Sequence, residues 1–469
     1  MTGLLLLAAT VGMFEGNGDV GTVLQAGSVE YDAAARTYTV GGSGENMWFA
    51  ADAFRFVWKK VTGDVTLTAD VRILGEGGDP HRKAVLMIRQ SLDADSAYAD
   101  AAVHGDGLTS LQTRDAKGAA THEIQASVAG PARLRISKRG EWFYMSVAGQ
   151  GGELRPAGGW MKAAIDGTFY VGIGVCAHNK DAVERAVFSN VELGALGGKP
   201  QAWSTLETVT IASTDRRAVV TTEGYLGAPT WTPDGKALVF LDEGLWRVAL
   251  SGGRPERIET GPGLVCSRSY GFAPDGQTLA FTARARPGDL DLDTVYVMPA
   301  AGGKARRVTK ESPSRFSGWS PDGKTLIYSG VRGGSTSVLT MPAKGGEETL
   351  LILGAAEAEY SPDGQHIYFS SLRGADQQVW RARADGSGAE QVTTGPMINW
   401  SPRLSPDGKL LAFLSGLPNS RGEVQVRVMS LGDGGIRVMG SLWHWGAMME
   451  APCWSPDSKR LTFLSSSEF

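Results

Sequence analysis

An all-β fold in two domains, a β-sandwich followed by a six-bladed β-propeller, follows from three features of the 469-residue chain. First, a short phrase returns six times in the second half. It begins at Trp231 as Trp-Thr-Pro-Asp-Gly and recurs from Phe272, Trp319, Tyr360, Leu404 and Trp454, the last copy ending in Ser458. Its Asp falls at 234, 275, 322, 363, 407 and 457, giving spacings of 41, 47, 41, 44 and 50. A period of about 40–50 residues carried by short apolar strands marks the blades of a propeller. Second, residues 11–195 alternate apolar and polar positions in short runs, with no repeat and no long amphipathic helix. Third, there are 63 Gly, about twice the usual ~7%, spread through Asp-Gly and Gly-Gly pairs that read as tight turns.

Length and composition bound the rest. A chain of this size exceeds what one core organises, so at least two domains are expected. The net charge is −4, from 46 Lys+Arg against 50 Asp+Glu, without a long basic run. That argues against a nucleic-acid partner, which needs a clustered positive face. Cys176, Cys266 and Cys453 are widely separated and read as free thiols rather than a disulfide framework. Residues 1–10 are apolar and end in small residues, so they read as a truncated secretory signal, the alternative being a first strand running on through Phe14. Beyond them no stretch approaches the ~18 apolar residues of a membrane span.

In chain order, strands are expected at 64–72, 84–90, 132–138 and 168–176. Around 133–136, Leu134 and Ile136 alternate with Arg133 and Arg135, one face buried and the other wet. About ten such strands without crossover helices make two packed sheets. The stretches 87–91, 96–107 and 133–147 resemble a laminin-G or concanavalin-like jelly roll, of the kind joined to TolB-like propellers in bacterial secreted proteins. That resemblance covers most of residues 12–194 and implies a sugar-binding module. Residues 195–204 then form a short Gly/Pro linker.

From 205 onward each repeat has one grammar. An apolar stretch leads into Pro-Asp-Gly, then come strands such as 236–240 and 245–249, a Gly-containing turn, and a short fourth strand such as 256–258. Pro presets φ in the turn, while Asp and Gly supply the side-chain hydrogen bond and the positive φ. Six copies of this grammar resemble the TolB-like propeller family. The sixth copy stops after one strand beyond Trp454, so 206–212 and 216–222 are expected to complete it, closing the ring by pairing the two ends of the domain.

Residues just ahead of each motif should line one mouth of the channel. The candidate ligand-binding residues are Arg268, Tyr270, Arg315, Glu357, Glu359, Trp400, Arg403, Trp443, His444 and Trp445. Arg supplies bidentate carboxylate recognition and Trp a stacking face; the competing reading is that these groups satisfy one another around a water-filled channel. Trp443, His444 and Trp445 are placed in a loop before the last blade, as a sugar platform or a channel plug.

Signs of catalysis are sparse. The family resemblance brings oligogalacturonate lyases into comparison, with metal-binding His at the channel mouth, yet this half carries only His366 and His444, too few for a three-His site. No Glu-x-Asp-x-x-Glu pair and no Gly-x-Ser-x-Gly elbow is present. No cofactor is required; a structural calcium at Asp289, Asp291 and Asp293 competes with a solvated turn. His104 and His178 read as loop residues of the sandwich. The expected function is carbohydrate or protein binding in the periplasm or outside the cell, the alternative a polysaccharide lyase or glycoside hydrolase acting at the propeller mouth.

Overall fold

The computed structural model describes residues 11–130, 132–197, 201–284, 292–418, 423–443 and 453–468, and among these every regular element is a strand. The chain divides into two units. Residues 1–203 and 215–221, with the last two residues, form the first; 204–214 and 222–467 form the second.

The first unit is two antiparallel sheets. One runs Gly16–Val20, Phe54–Thr62, Thr168–Cys176, Lys83–Arg89, Tyr98–His104, Thr109–Arg114 and Thr121–Gln125 in spatial order. The other runs Arg155–Pro156, Trp142–Ala148, Arg133–Arg139, Val65–Ile73, Asn179–Ala195, Thr37–Gly44 and Ser28–Asp32. The alternation seen in the sequence places Leu134, Ile136 and Leu67 of one sheet in the same dry core as Leu86, Ile88, Phe169 and Ile173 of the other. Burying each such side chain contributes about 1.5–3 kcal/mol relative to exposure, which is why the pairing register is strongly specified.

The second unit contains five four-stranded antiparallel sheets, each built from consecutive strands and each starting at the strand that leads into Pro-Asp-Gly. The inner strands are Gly227–Trp231, Val265–Phe272, Ser314–Trp319, Ala355–Tyr360 and Ile398–Leu404. Each touches the next in sequence, and Cys453–Trp454 touches both Ile398–Leu404 and Gly227–Trp231. These are the blades of a β-propeller. Arg460–Glu468 pairs with Cys453–Trp454 on one side and with the strand Ala202–Thr210 on the other, where Thr462 Oγ1 donates to Glu207 O at 2.9 Å.

The repeated phrase does two jobs. Within a blade, Ser320 Oγ donates to Asp322 Oδ1 at 2.6 Å, Lys324 N donates to the same oxygen at 3.0 Å, and Gly323 takes φ 68°. The turns at Thr232, Ser361, Ser405 and Ser455 repeat this geometry. These bonds hold the carboxyls of Asp234, Asp322, Asp363, Asp407 and Asp457 below the ordinary value. Between blades, the phrase's Trp is a stitch. Trp319 Nε1 donates to Gly271 O at 3.0 Å, Trp454 Nε1 to Arg403 O at 2.9 Å and Trp231 Nε1 to Cys453 O at 3.1 Å. In each case the acceptor is the residue just before another copy of the phrase, the preceding copy for Trp319 and Trp454 and the last copy for Trp231.

Two expectations change here. The strand Arg216–Glu223 was assigned to the last blade alone, but Arg216 and Arg217 pair in parallel with Ile124 and Gln125, and residues 215–221 belong to the first unit. The expected linker is also shorter than its composition suggested, since the strand Ala202–Thr210 starts inside it. All three thiols are free, Cys176 buried and the other two half-buried. Residues 1–10, read as a signal segment, lie outside the described residues.

Candidate functional site

Every inner strand of the five blades carries a register shift just ahead of its motif, between Gly227 and Thr230, Cys266 and Tyr270, Phe316 and Gly318, Ala356 and Glu359, and Trp400 and Arg403. Ala228, Glu357 and Ser401 sit in these bulges at φ 45°, 54° and 54°. A bulge frees backbone groups from the ladder and re-aims side chains. The freed groups find hydroxyls on the second strand of the preceding blade. Phe316 N donates to Thr282 Oγ1 at 2.9 Å, Glu357 N to Ser329 Oγ at 3.0 Å and Ser401 N to Ser370 Oγ at 3.0 Å. Thr282, Ser329 and Ser370 each stand six residues past the turn glycines Gly276, Gly323 and Gly364; the other three repeats carry Leu241, Leu414 and Leu464 at that position, all buried. The propeller is thus polar at this level through three consecutive repeats and apolar through the rest.

Charged groups collect at the same level. Asp293, fully buried, accepts from Ser267 Oγ at 2.8 Å and pairs with Arg315 at 3.2 Å and Arg284 at 3.5 Å. Glu357 Oε2 accepts from Ser370 Oγ at 2.7 Å and from Ser401 N at 3.0 Å. Glu359 faces Arg403 at 3.9 Å and accepts from Leu404 N at 3.3 Å. Desolvation pushes the Glu359 carboxyl up to about 7, with the Arg403 charge opposing. Glu359 still keeps 26% of its side-chain surface open to water, which works against that shift.

Of the residues singled out in the sequence, Arg315, Glu357, Glu359 and Arg403 are therefore at the bulges and in contact with polar partners. Tyr270 is not a free ligand-binding group: it packs at 9% exposure in an apolar cluster with Leu241 and Phe281. Trp400 is half-buried against Leu414 and Val426. Trp443 ends the strand Ile436–Trp443, paired with Glu423, and so is not a loop residue as expected. The Arg268 and Trp443 side chains, and all of His444 and Trp445, lie outside the described residues, as does most of the Asp-rich segment. Its last member, Asp293, is a buried ion-pair partner rather than part of a solvated turn. Sequence reasoning named Asp293 only as part of a calcium-binding or solvated turn and passed over the three hydroxyls, whose constant offset from the turn glycine was the available signal.

The first unit holds a second polar cluster. Asp52 receives both Nη atoms of Arg114, at 2.9 and 2.7 Å, and lies 3.4 Å from Arg89; all three side chains are fully buried. His104, expected in a loop, is the last residue of the strand Tyr98–His104 and 5% exposed.

The family model of the TolB beta propeller domain matches residues 200–358 and 317–468. The chain belongs to the TolB β-propeller family. Among its relatives, the uncharacterized protein Atu1656 of Agrobacterium fabrum is 35% identical over 272 residues, covering 56% of this chain and 92% of that protein. The Tol-Pal system protein TolB of Francisella tularensis subsp. holarctica is 26% identical over 248 residues, and this chain spans 55% of its length. A solved structure of a TolB protein from Agrobacterium tumefaciens superimposes with a TM-score of 0.53 at 34% identity, covering 58% of this chain and 99% of that one.

Proposed function

We propose that this TolB-family chain is a periplasmic binding and scaffold protein that presents the bulged ends of its inner strands to a protein partner. One observation carries the reading. Arg315, Glu359 and Arg403 keep 37%, 26% and 21% of their side-chain surface open to water while protein groups hold them in place. Side chains fixed in advance lose little rotamer freedom on binding, and charges of both signs at a rim steer and orient a partner. The location and the protein partner agree with a family whose relatives include a Tol-Pal system protein.

Two structural readings accompany this one. Cys453–Trp454, Arg460–Glu468 and Ala202–Thr210 form a sixth blade that closes the ring, a reading supported by the contacts of Cys453–Trp454 with the first and fifth inner strands and by the Trp231 stitch to Cys453. The first unit is a concanavalin-like jelly roll, a reading supported by its two antiparallel sheets.

A photo-cross-linking residue in place of Arg315 or Glu359, used in living cells, tests the proposal. Adducts to one protein are expected at both positions and not at Glu256, on an outer strand. Equal adducts at all three would overturn it. Incubation with a polysaccharide panel covers the enzymatic alternative, which the Glu359 carboxyl near 7 favours as a general acid. Cleavage abolished by Glu359→Gln would establish a lyase or hydrolase instead. Glycan retained intact, with retention lost in Trp400→Ala, would make the ligand a carbohydrate.

A further inference from the structure

The first unit contains a pocket of about 240 Å³ that uses none of the propeller residues. Its floor is the sheet formed by Lys83–Arg89, Tyr98–His104, Thr109–Arg114 and Thr121–Gln125. Register sets Lys83 opposite His104 and Gln112 opposite Glu123, and these four residues are 3%, 5%, 0% and 8% exposed. Trp48 lays its indole 5.3 Å from Lys83 Nζ. The His81 ring stands 6.0 Å from that of His104 and 5.4 Å from that of His178.

Hydrogen-bond bookkeeping leaves His104 Nδ1 over, together with both carboxyl oxygens of Asp100. Lys83 Nζ donates to Met47 O at 3.1 Å, Gln112 Oε1 at 3.3 Å and Asn46 Oδ1 at 3.5 Å, which uses its three protons. With Gln112 Oε1 so engaged, Gln112 Nε2 donates to Ser110 Oγ at 3.1 Å, faces His104 Nε2 at 3.2 Å and reaches Glu123 Oε2 at 3.5 Å. Glu123 Oε1 accepts from Gln125 Nε2 at 2.6 Å, so the carboxylate in the wall is satisfied. An amide nitrogen only donates, so His104 Nε2 accepts and this network assigns the proton to Nδ1. His104 Nδ1 is buried and has no partner. Buried polar groups are nearly always paired, so an unpaired N–H buried on a residue that lines the pocket asks for an acceptor.

The charges that act on His104 itself favour an anionic one, against the Glu123 carboxylate in the wall and the burial that lowers the Lys83 pKa. Burial pushes the His104 imidazole down to about 3, which keeps it neutral, and the groups that act on it through charge are Lys83, His81 and His178, all cationic when protonated. Asp100, opposite Gln112, is fully buried, and burial favours its uncharged acid form. Asp79 is engaged with His178 at 3.2 Å.

We propose that this pocket binds a small carboxylate, one oxygen accepting from His104 Nδ1–H and the apolar body resting on the Trp48 indole. The volume lies below the ~300–1,000 Å³ of drug-sized sites, so the occupant is a molecule of about benzoate's size or the end of a longer ligand.

The test is titration of the full chain, carrying ¹⁵N-labelled histidine, with sodium benzoate, inorganic phosphate, benzyl alcohol and glucose. The six histidines give a spectrum simple enough to assign. Benzoate is expected to shift the His104 ring signals saturably, with affinity roughly tenfold weaker in Trp48→Ala and the His104 response absent in the neutral analogues. Trp48 is half-buried next to exposed Phe49, so its truncation should leave the fold intact, which the other histidine signals check. In His104→Phe, benzoate binding should be lost while those signals persist. No saturable shift with benzoate, binding that survives both substitutions, or equal binding of phosphate, benzyl alcohol or glucose would each overturn the proposal.

Discussion

The two units treat buried charge in opposite ways. In the first, Asp52, Arg89 and Arg114 are wholly dehydrated and answer one another, nearby carbonyls and the rings of Phe54 and Tyr98. In the propeller, Asp293 is dry but its partners Arg284 and Arg315 are 12% and 37% exposed. A two-sheet unit has a sheet face that loops can cover completely, so each polar group there needs its own bespoke partner. A propeller repeats one strand arrangement, and its bulges leave the ends of the inner strands within reach of water. The first arrangement suits rigidity and an enclosed small ligand, the second suits contact with something large.

This contrast can be broken most severely at Asp52. Asp52→Ala leaves two guanidiniums buried without a counter-charge and should cost about 3–5 kcal/mol, measured by urea denaturation. A loss no larger than that of an exposed ion pair would show that water enters this cluster. In the propeller, Ser370→Ala removes one of the two acceptors of Ser401 N–H and one donor to Glu357, and should cost about 0.5–1.5 kcal/mol. The same assay on Ser329→Ala should give a similar value if the hydroxyl stitches are equivalent.

Acid–base behaviour separates the propeller's own carboxyls. Glu359 holds its proton up to about 7 when folded, against an ordinary 4.5. Between those values the unfolded chain is ionised while the native state is protonated, so this group lowers stability as pH rises through that window. Glu359→Gln should flatten the pH dependence by something on the order of 1–2 kcal/mol, allowing for its solvent contact. The turn carboxyls act with the other sign. Asp234, Asp322, Asp363, Asp407 and Asp457 lie below the ordinary 3.8 when folded, so their contribution is present above that value and fades as pH falls below it. Asp322→Asn should therefore change stability least of these variants at neutral pH, because Asn Oδ1 can still accept from Lys324 N, and should reduce acid sensitivity in a thermal melt.

Much of the strand order was legible because its cause is local. Alternation predicted 168–176 and 245–249 residue for residue as Thr168–Cys176 and Leu245–Ala249. The turn phrase marked every blade start, since Pro, Asp, Gly and the preceding hydroxyl settle the turn's geometry within five residues. The candidate site was half legible: Arg315, Glu357, Glu359 and Arg403 follow from position ahead of the phrase, but the partners that hold them sit on other strands. Tyr270 was less legible, because an aromatic ahead of the motif looks the same whether it faces the channel or packs in an apolar cluster, as Tyr270 does.

By itself, then, the sequence determined the all-β class, the period, the turn chemistry and the family, all of which rest on interactions between residues close in the chain. Tertiary structure decided the rest: which strand Arg216 and Arg217 pair with, that the Trp of the phrase donates to another repeat, that Asp293 is buried, and that His104 Nδ1 is left without a partner. Each of those depends on groups brought together from tens to hundreds of residues away, where neither propensity nor spacing reaches and only the pairing of the sheets determines what meets what.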